Sequence, residues 1–162
     1  MKVSMVYQHN FTYQTQRRGT FDITTEIDRH IRDSNIKTGI CTVFIHHTSA
    51  SLIITENADP TVRSDLETIL QRLAPDGDPA YRHNYEGDDD MSAHVRCMLT
   101  NDSLTIPVTA GRSALGTWQG IYLYEHRTGR FSRKLTITIM GEWSCSMKLT
   151  PTTVYQKLLE GA

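Results

Sequence analysis

Hydrophobic positions change period several times along the chain, and each change marks an element. Residues 3–14 are rich in Val, Tyr, Phe and Thr and predict a strand, with a turn at Arg17-Arg18-Gly19. Ile23, Ile27 and Ile31 then recur on one face of a helix that Asp22 or Thr24 can cap and that Asn35 and Gly39 end. Strands are predicted over residues 40–48 and around 52–55. Asp59 before Pro60 places an N-cap beside the residue best suited to the first helical position. Val62, Leu66, Ile69, Leu70 and Leu73 make that helix's stripe, and Pro75 stops it. Residues 75–90 carry two prolines, two glycines and many carboxylates without a period; so long a loop in a compact domain points to function. A short helix is predicted over 91–99. Leu104, Ile106 and Val108 alternate, residues 116–126 read as a strand, and Leu135, Ile137 and Ile139 alternate again after a turn at Thr128-Gly129. The expected fold is α+β: one compact domain over 1–142, mostly antiparallel sheet or sandwich with about three helices. Residues 143–162 read as an appended segment of unknown role, with one helical turn over 155–159.

Composition narrows the classes. The 162 residues make one domain, and 38% hydrophobic with 22% charged residues is globular usage. Seventeen Lys+Arg against eighteen Asp+Glu give a formal charge of -1, without the basic footprint of a nucleic-acid binder or a polybasic membrane signal. No window nears the roughly 18 apolar residues of a spanning helix, and the first ten residues lack the apolar run of a secretory leader. Cys41, Cys97 and Cys145 are odd in number and outside any CxxC pair. They read as small hydrophobes of a reducing cytoplasm, not as a disulfide framework or zinc cluster.

Four polar constellations carry the candidate chemistry. His46-His47-Thr48-Ser49 ends an apolar strand, and alternation puts His47 in line with Cys41, Val43 and Ile45 while His46 faces away. His83, Glu86, Asp88, Asp89, Asp90 and His94 form the second; Asp90 and His94 share a face if a helix begins there, a spacing that suits a divalent ion or a carboxylate orienting an imidazole. Gly111 to Gly120 interleaves three glycines with Arg112, Thr117, Trp118 and Gln119, allowing close backbone approach to a ligand without being a phosphate-binding Walker loop. Glu125 sits on an otherwise apolar strand face and calls for a cation or a ligand; Arg127, Arg130, Arg133 and Lys134 follow it, either as a phosphate receiver or as a solvated hairpin tip. GxSxG, HExxH and paired CxxC motifs are absent, which removes the serine-hydrolase, zincin and zinc-finger readings. From the residues alone, each constellation has both a structural and a functional reading.

In order, RRGTFDITTEI, HHTSASLIITENADPTVRSDLE, RHNYEGDDDMSAHV, SLTIPVTAGR and LGTWQGIYLYEHR resemble the secondary thiamine-phosphate synthase family, the YjbQ-like proteins, over about residues 5–142. The resemblance implies a homotrimer with a weak activity joining a hydroxymethylpyrimidine diphosphate to a thiazole phosphate, with release of pyrophosphate. It implies catalytic roles for Glu56, Glu86, Asp88, Asp90 and Glu125. It implies substrate binding by Thr48, Ser49, Asn57, Gly116, Thr117, Trp118, Gln119 and Arg127. His47, His83 and His94 are the expected ligands of a divalent metal, Zn²⁺ or Mg²⁺. The expected partner is a small phosphorylated metabolite, not nucleic acid or membrane, and the expected location is the cytoplasm. A non-catalytic metal- or phosphometabolite-binding trimer and a metal-assisted hydrolase are the alternatives.

Overall fold

The computed structural model describes residues 3–143, so the expected helical turn over 155–159 lies outside the described residues. The strands are β1 (Val3–Thr15), β2 (Gly19–Asp22), β3 (Ile36–Ile45), β4 (Ala50–Glu56), β5 (Ser103–Thr109), β6 (Arg112–Ser113), β7 (Gln119–Glu125) and β8 (Phe131–Trp143). The helices are α1 (Thr24–Asp33), α2 (Pro60–Leu73) and α3 (Asp88–Leu99). All pairings are antiparallel: a five-stranded sheet in the order β1-β8-β3-β5-β6 and a three-stranded sheet in the order β2-β7-β4. The expected α+β class is what the chain adopts.

One core lies between the sheets. Cys41, Val43, Ile45, Leu104, Ile106, Val108, Leu135, Ile137 and Ile139 face it from the larger sheet, and Leu52, Ile121 and Leu123 from the smaller. Ile23, Ile27 and Ile31 add the apolar stripe of α1. The other face of the small sheet is also covered, because α2 and α3 lie against β4; β7 is therefore buried on both faces except at Gln119.

Local rules explain most element ends. Asp59 Oδ1 accepts the Thr61 N–H at 2.8 Å with Pro60 beside it, as expected at the start of α2. Ahead of α1, Asp22 Oδ1 accepts the Thr24 N–H at 2.8 Å, although the N-cap position itself is Ile23. The α2 stripe is less buried than its spacing suggests: Leu70 is covered, whereas Ile69 and Leu73 stay exposed. The helix is held by polar contacts through Arg63 and Glu67 instead.

Gly39 corrects a sequence expectation. It does not end α1; Asn35 does, in the left-handed region at φ 57. Gly39 lies inside β3 opposite Gly141 of β8, beside the bulge between Ile36 and Thr38. There the backbones approach so closely that a Cβ on either glycine would collide with the other strand, at Met140 O or Thr38 O. Gly39→Ala is expected to lower unfolding free energy by about 3 kcal/mol in urea titrations through overpacking, whereas Gly19→Ala meets no neighbouring atom and should lose only the backbone strain of its φ of 132, about 1–2 kcal/mol.

Candidate functional site

The loop over 75–87 delivers the chain to α3, which begins three residues earlier than the apolar pattern indicates. Asp88, Asp89 and Asp90 fill its first turn, where carboxylates interact favourably with the unpaired amides and the dipole. Asp90 and His94 then stand one turn apart, and His83 folds back over them.

Asp90, 2% exposed, is the hub. Its Oδ2 accepts from His83 Nε2 at 2.8 Å and lies 3.4 Å from His94 Nε2. Its Oδ1 is held by Arg127 Nη1, whose neighbour Nη2 donates to Glu86 O at 2.7 Å. His94 donates from Nδ1 to Thr48 O at 3.0 Å, which fixes the ring with its Nε2 turned toward Asp90. One ligand atom from each of His83, Asp90 and His94 lies within 4.8 Å of the other two. Donors about 2.0–2.1 Å from a tetrahedral ion sit about 3.3 Å apart, so the set fits such an ion with one position open. Two imidazoles and one carboxylate suit Zn²⁺ or Fe²⁺ and suit Mg²⁺ poorly.

His47 is not in this group. Its Nε2 accepts the Lys134 N–H at 2.7 Å and its Nδ1 faces Arg133 Nη1 at 3.4 Å, so both nitrogens meet donors. Partial burial, then the Arg133 charge, lowers its pKa and keeps the ring neutral. The expected three-histidine set is, within one chain, two histidines and an aspartate.

Glu125 is likewise committed. Fully buried, it accepts from Thr15 Oγ1 (2.8 Å), Arg133 Nε (2.7 Å), Arg133 Nη2 (2.5 Å) and the Arg127 N–H (3.0 Å). Arg133, read from sequence as part of a possible solvated tip, is buried and paired, and Glu125 has no free lone pair for proton transfer. Arg127, expected to bind substrate, gives Nη1 to Asp90 and Nη2 to Glu86 O, while its Nε lies 3.1 Å from Asp89 Oδ1 as an ion pair without a hydrogen bond. Burial alone would raise the Asp89 pKa, but the Thr128 N–H and hydroxyl and the Arg127 charge outweigh it and hold it low.

The remaining expected residues divide by place. Thr48 contributes its carbonyl, and Ser49 O accepts the His126 N–H at 3.3 Å. Asp88 and the Glu86 side chain are exposed beside the cluster. Glu56, Asn57, Gly116, Thr117, Trp118 and Gln119 gather at the opposite end of β7. Six residue steps from Gln119 to Glu125 put them about 20 Å away.

The sequence profile described as "UPF0047 protein YjbQ-like" matches residues 9–142. A UPF0047 protein of Synechocystis is 45% identical over 136 residues, 84% of this chain and 92% of its own length. The UPF0047 protein YjbQ of Escherichia coli O157:H7 is 42% identical over 139 residues, 85% of this chain and all of its own. The chain belongs to the YjbQ-like UPF0047 family. Solved structures agree: a protein "of unknown function" from Sulfolobus solfataricus P2 superposes with a TM-score of 0.79 at 28% identity, covering 86% of this chain and 100% of its own. A family member from Clostridium acetobutylicum gives 0.74 at 33%, covering 81% and 98%. These YjbQ-like relatives bear the family name and no activity.

This YjbQ-like chain also holds a buried polar network that the sequence reading missed. Arg96, fully buried on α3, donates to Glu67 Oε1 at 2.8 Å, and Tyr124 donates to Glu67 Oε2 at 2.7 Å. His126 Nε2 meets Ser51 Oγ at 2.8 Å, and Arg18 Nε donates to His126 O at 2.8 Å. The signal available in sequence was alternation: Tyr122, Tyr124 and His126 share a strand face, and only a partner layer could cover it. Cys41 and Cys97 are free thiols whose pKa burial raises to about 12, so neither is a nucleophile at neutral pH. No helix among the described residues is long and apolar enough to cross a membrane.

Two outcomes follow from these buried groups. Glu125→Ala strands Arg133 and is expected to cost about 3–5 kcal/mol in chemical denaturation. Burial, then the charges of Arg96, Arg18 and Arg133, pushes His126 down to about 3. The unfolded chain therefore binds this proton near pH 6.5 and the folded chain does not, so stability falls as pH drops from about 6.5 toward 3, by at most about 1.4 kcal/mol per unit. His126→Gln should flatten this slope between pH 6.5 and 4.5 in thermal melts.

Proposed function

We propose that His83, Asp90 and His94 form a divalent-metal centre that acts on a substrate oxygen, with metal-assisted hydrolysis as the reaction class the donor set favours. The observation that carries this is the convergence of three ligand atoms within 4.8 Å, one of them on a histidine whose tautomer the Thr48 carbonyl fixes. A Zn²⁺ or Fe²⁺ ion there supplies Lewis acidity toward a carbonyl, phosphoryl or water oxygen. The chain's own residues do the positioning. Arg127 occupies Asp90 Oδ1 and turns Oδ2 toward the two imidazoles. Beside His83 a hollow of ≈150 Å³, lined in part by Asp78, Tyr81, Asn84 and Asp88, is the place for substrate. Asp88, exposed at its rim, is the carboxylate available to take a proton.

The family resemblance supports a finer reading: a thiamine-phosphate-synthase-like transferase, assembled as a homotrimer and taking phosphorylated substrates with Mg²⁺. Asp88 favours it as a hard oxygen ligand free for Mg²⁺ beside a diphosphate. The arginines weigh against it, because Arg127, Arg133 and Arg18 are already paired with Asp90, Glu125 and Asp76. A metabolite-binding trimer without turnover is the remaining alternative.

Elemental analysis of purified wild type is expected to give about one Zn or Fe per chain. His94→Ala should lose it while keeping the native circular dichroism spectrum. Absence of a stoichiometric ion after Zn²⁺ or Fe²⁺ reconstitution would overturn the centre. With the loaded protein, thiamine phosphate formed from the pyrimidine diphosphate and thiazole phosphate would establish the transferase. Consumption of one substrate without the other would establish hydrolysis, and retention without turnover the binding protein.

A further inference from the structure

An ordered loop presents Trp118 to solvent at the end of β7 away from the histidines, 65% exposed. The loop is fixed from both sides. Asn57 Nδ2 donates to Thr117 O and Gln119 O at 3.2 Å each, and the Asn57 N–H donates to Trp118 O at 3.0 Å. Gln119 closes it, its Oε1 accepting the Gly116 N–H at 2.8 Å and its own N–H donating to Gly116 O at 3.0 Å. Beside the indole, the end of the β4–β7 pair carries an open depression of ≈400 Å³ lined by Ile54, Thr55, Glu56, Trp118 and Gln119, ample for a small-ring ligand.

The charge in this mouth is unopposed. No hydrogen bond or ion pair holds the Glu56 carboxylate among the described residues; its backbone carbonyl accepts from Arg63 at 3.0 Å and from the Tyr122 hydroxyl at 3.4 Å. Arg63 lies over the Tyr122 ring, 5.1 Å from its centroid. Tyr122 and Thr55 occupy one face of the small sheet, whereas Glu56 and Gln119 point to the other, so Arg63 is directed away from the carboxylate.

We propose that the Trp118–Glu56 mouth is a binding site for a small, flat organic cation, separate from the metal centre. An indole face attracts cations through its quadrupole, and a carboxylate beside it adds a charge contact that a neutral ring of the same shape cannot use. The hydrogen-bonded loop meets the ordering cost before the ligand arrives. The Glu56 charge disfavours anions, and within one chain a ligand in the mouth lies about 20 Å from the histidines along β7.

The test compares 1-methylnicotinamide with nicotinamide, which share a flat ring and differ by one positive charge. Each is titrated into the full chain while the Trp118 indole N–H is followed by NMR, assigned from its loss in Trp118→Phe. Saturable shifts with about tenfold tighter binding of the cation are expected. Glu56→Gln should bring the two affinities within about twofold without changing metal content. Equal affinities in wild type, absent shifts, or a preference that survives Glu56→Gln would each overturn the proposal. A Trp118 indole shielded from a neutral quencher in the native assembly would also overturn it, by making a second copy of the chain the occupant.

Discussion

A carboxylate with no surface in water has to be protonated or met by donors at every lone pair, and Glu125 is met. Arg133 from β8, Thr15 from β1 and the Arg127 amide from the turn after β7 converge on it. The contact joins the two sheets at one end of the sandwich, because β1 and β8 belong to the larger and β7 to the smaller. It also fixes the turn from which Arg127 reaches α3. Asp90 faces its histidines because Arg127 holds its other oxygen, and Arg127 is in place because Glu125 anchors its amide. The metal-type cluster thus depends on a residue that makes no contact with it.

The same pairing limits what the cluster can recognise. Arg127, Arg133 and Arg18 each have a carboxylate of their own, while Asp78 and Asp88 line the adjoining hollow. These three guanidinium groups are already engaged and add little attraction for an anion there. This is the physical ground for placing hydrolysis of a neutral or weakly charged substrate ahead of phosphate transfer.

Much of this was legible in sequence, for reasons that can be named. Asp90 and His94 are one helical turn apart, so any helix beginning near the acidic run brings them together. Glu125 on an apolar strand face required a cation; Arg133 was read with the hairpin tip, although its phase with buried Leu135, Ile137 and Ile139 is the signal that separates it from the tip. Two features were not legible. Gly39 resembles a helix stop locally, and its need for close strand approach appears only when Gly141, about a hundred positions away, lies opposite. His47 continues the inward face of β3, but the strand ends at Ile45 and a hairpin amide reaches its ring instead.

Strand length decides how the family's motif residues can cooperate. Glu56 and Trp118 lie at one end of β7, the histidines at the other, and a strand buried on both faces cannot bend to bring them together. The intervening distance of about 20 Å exceeds the reach of a small metabolite. A transferase that stacks a ring on Trp118 while using His94 therefore needs those residues from two copies of the chain. The transferase reading in that form depends on the expected trimer, whereas the His83–Asp90–His94 cluster, which forms within one chain, does not.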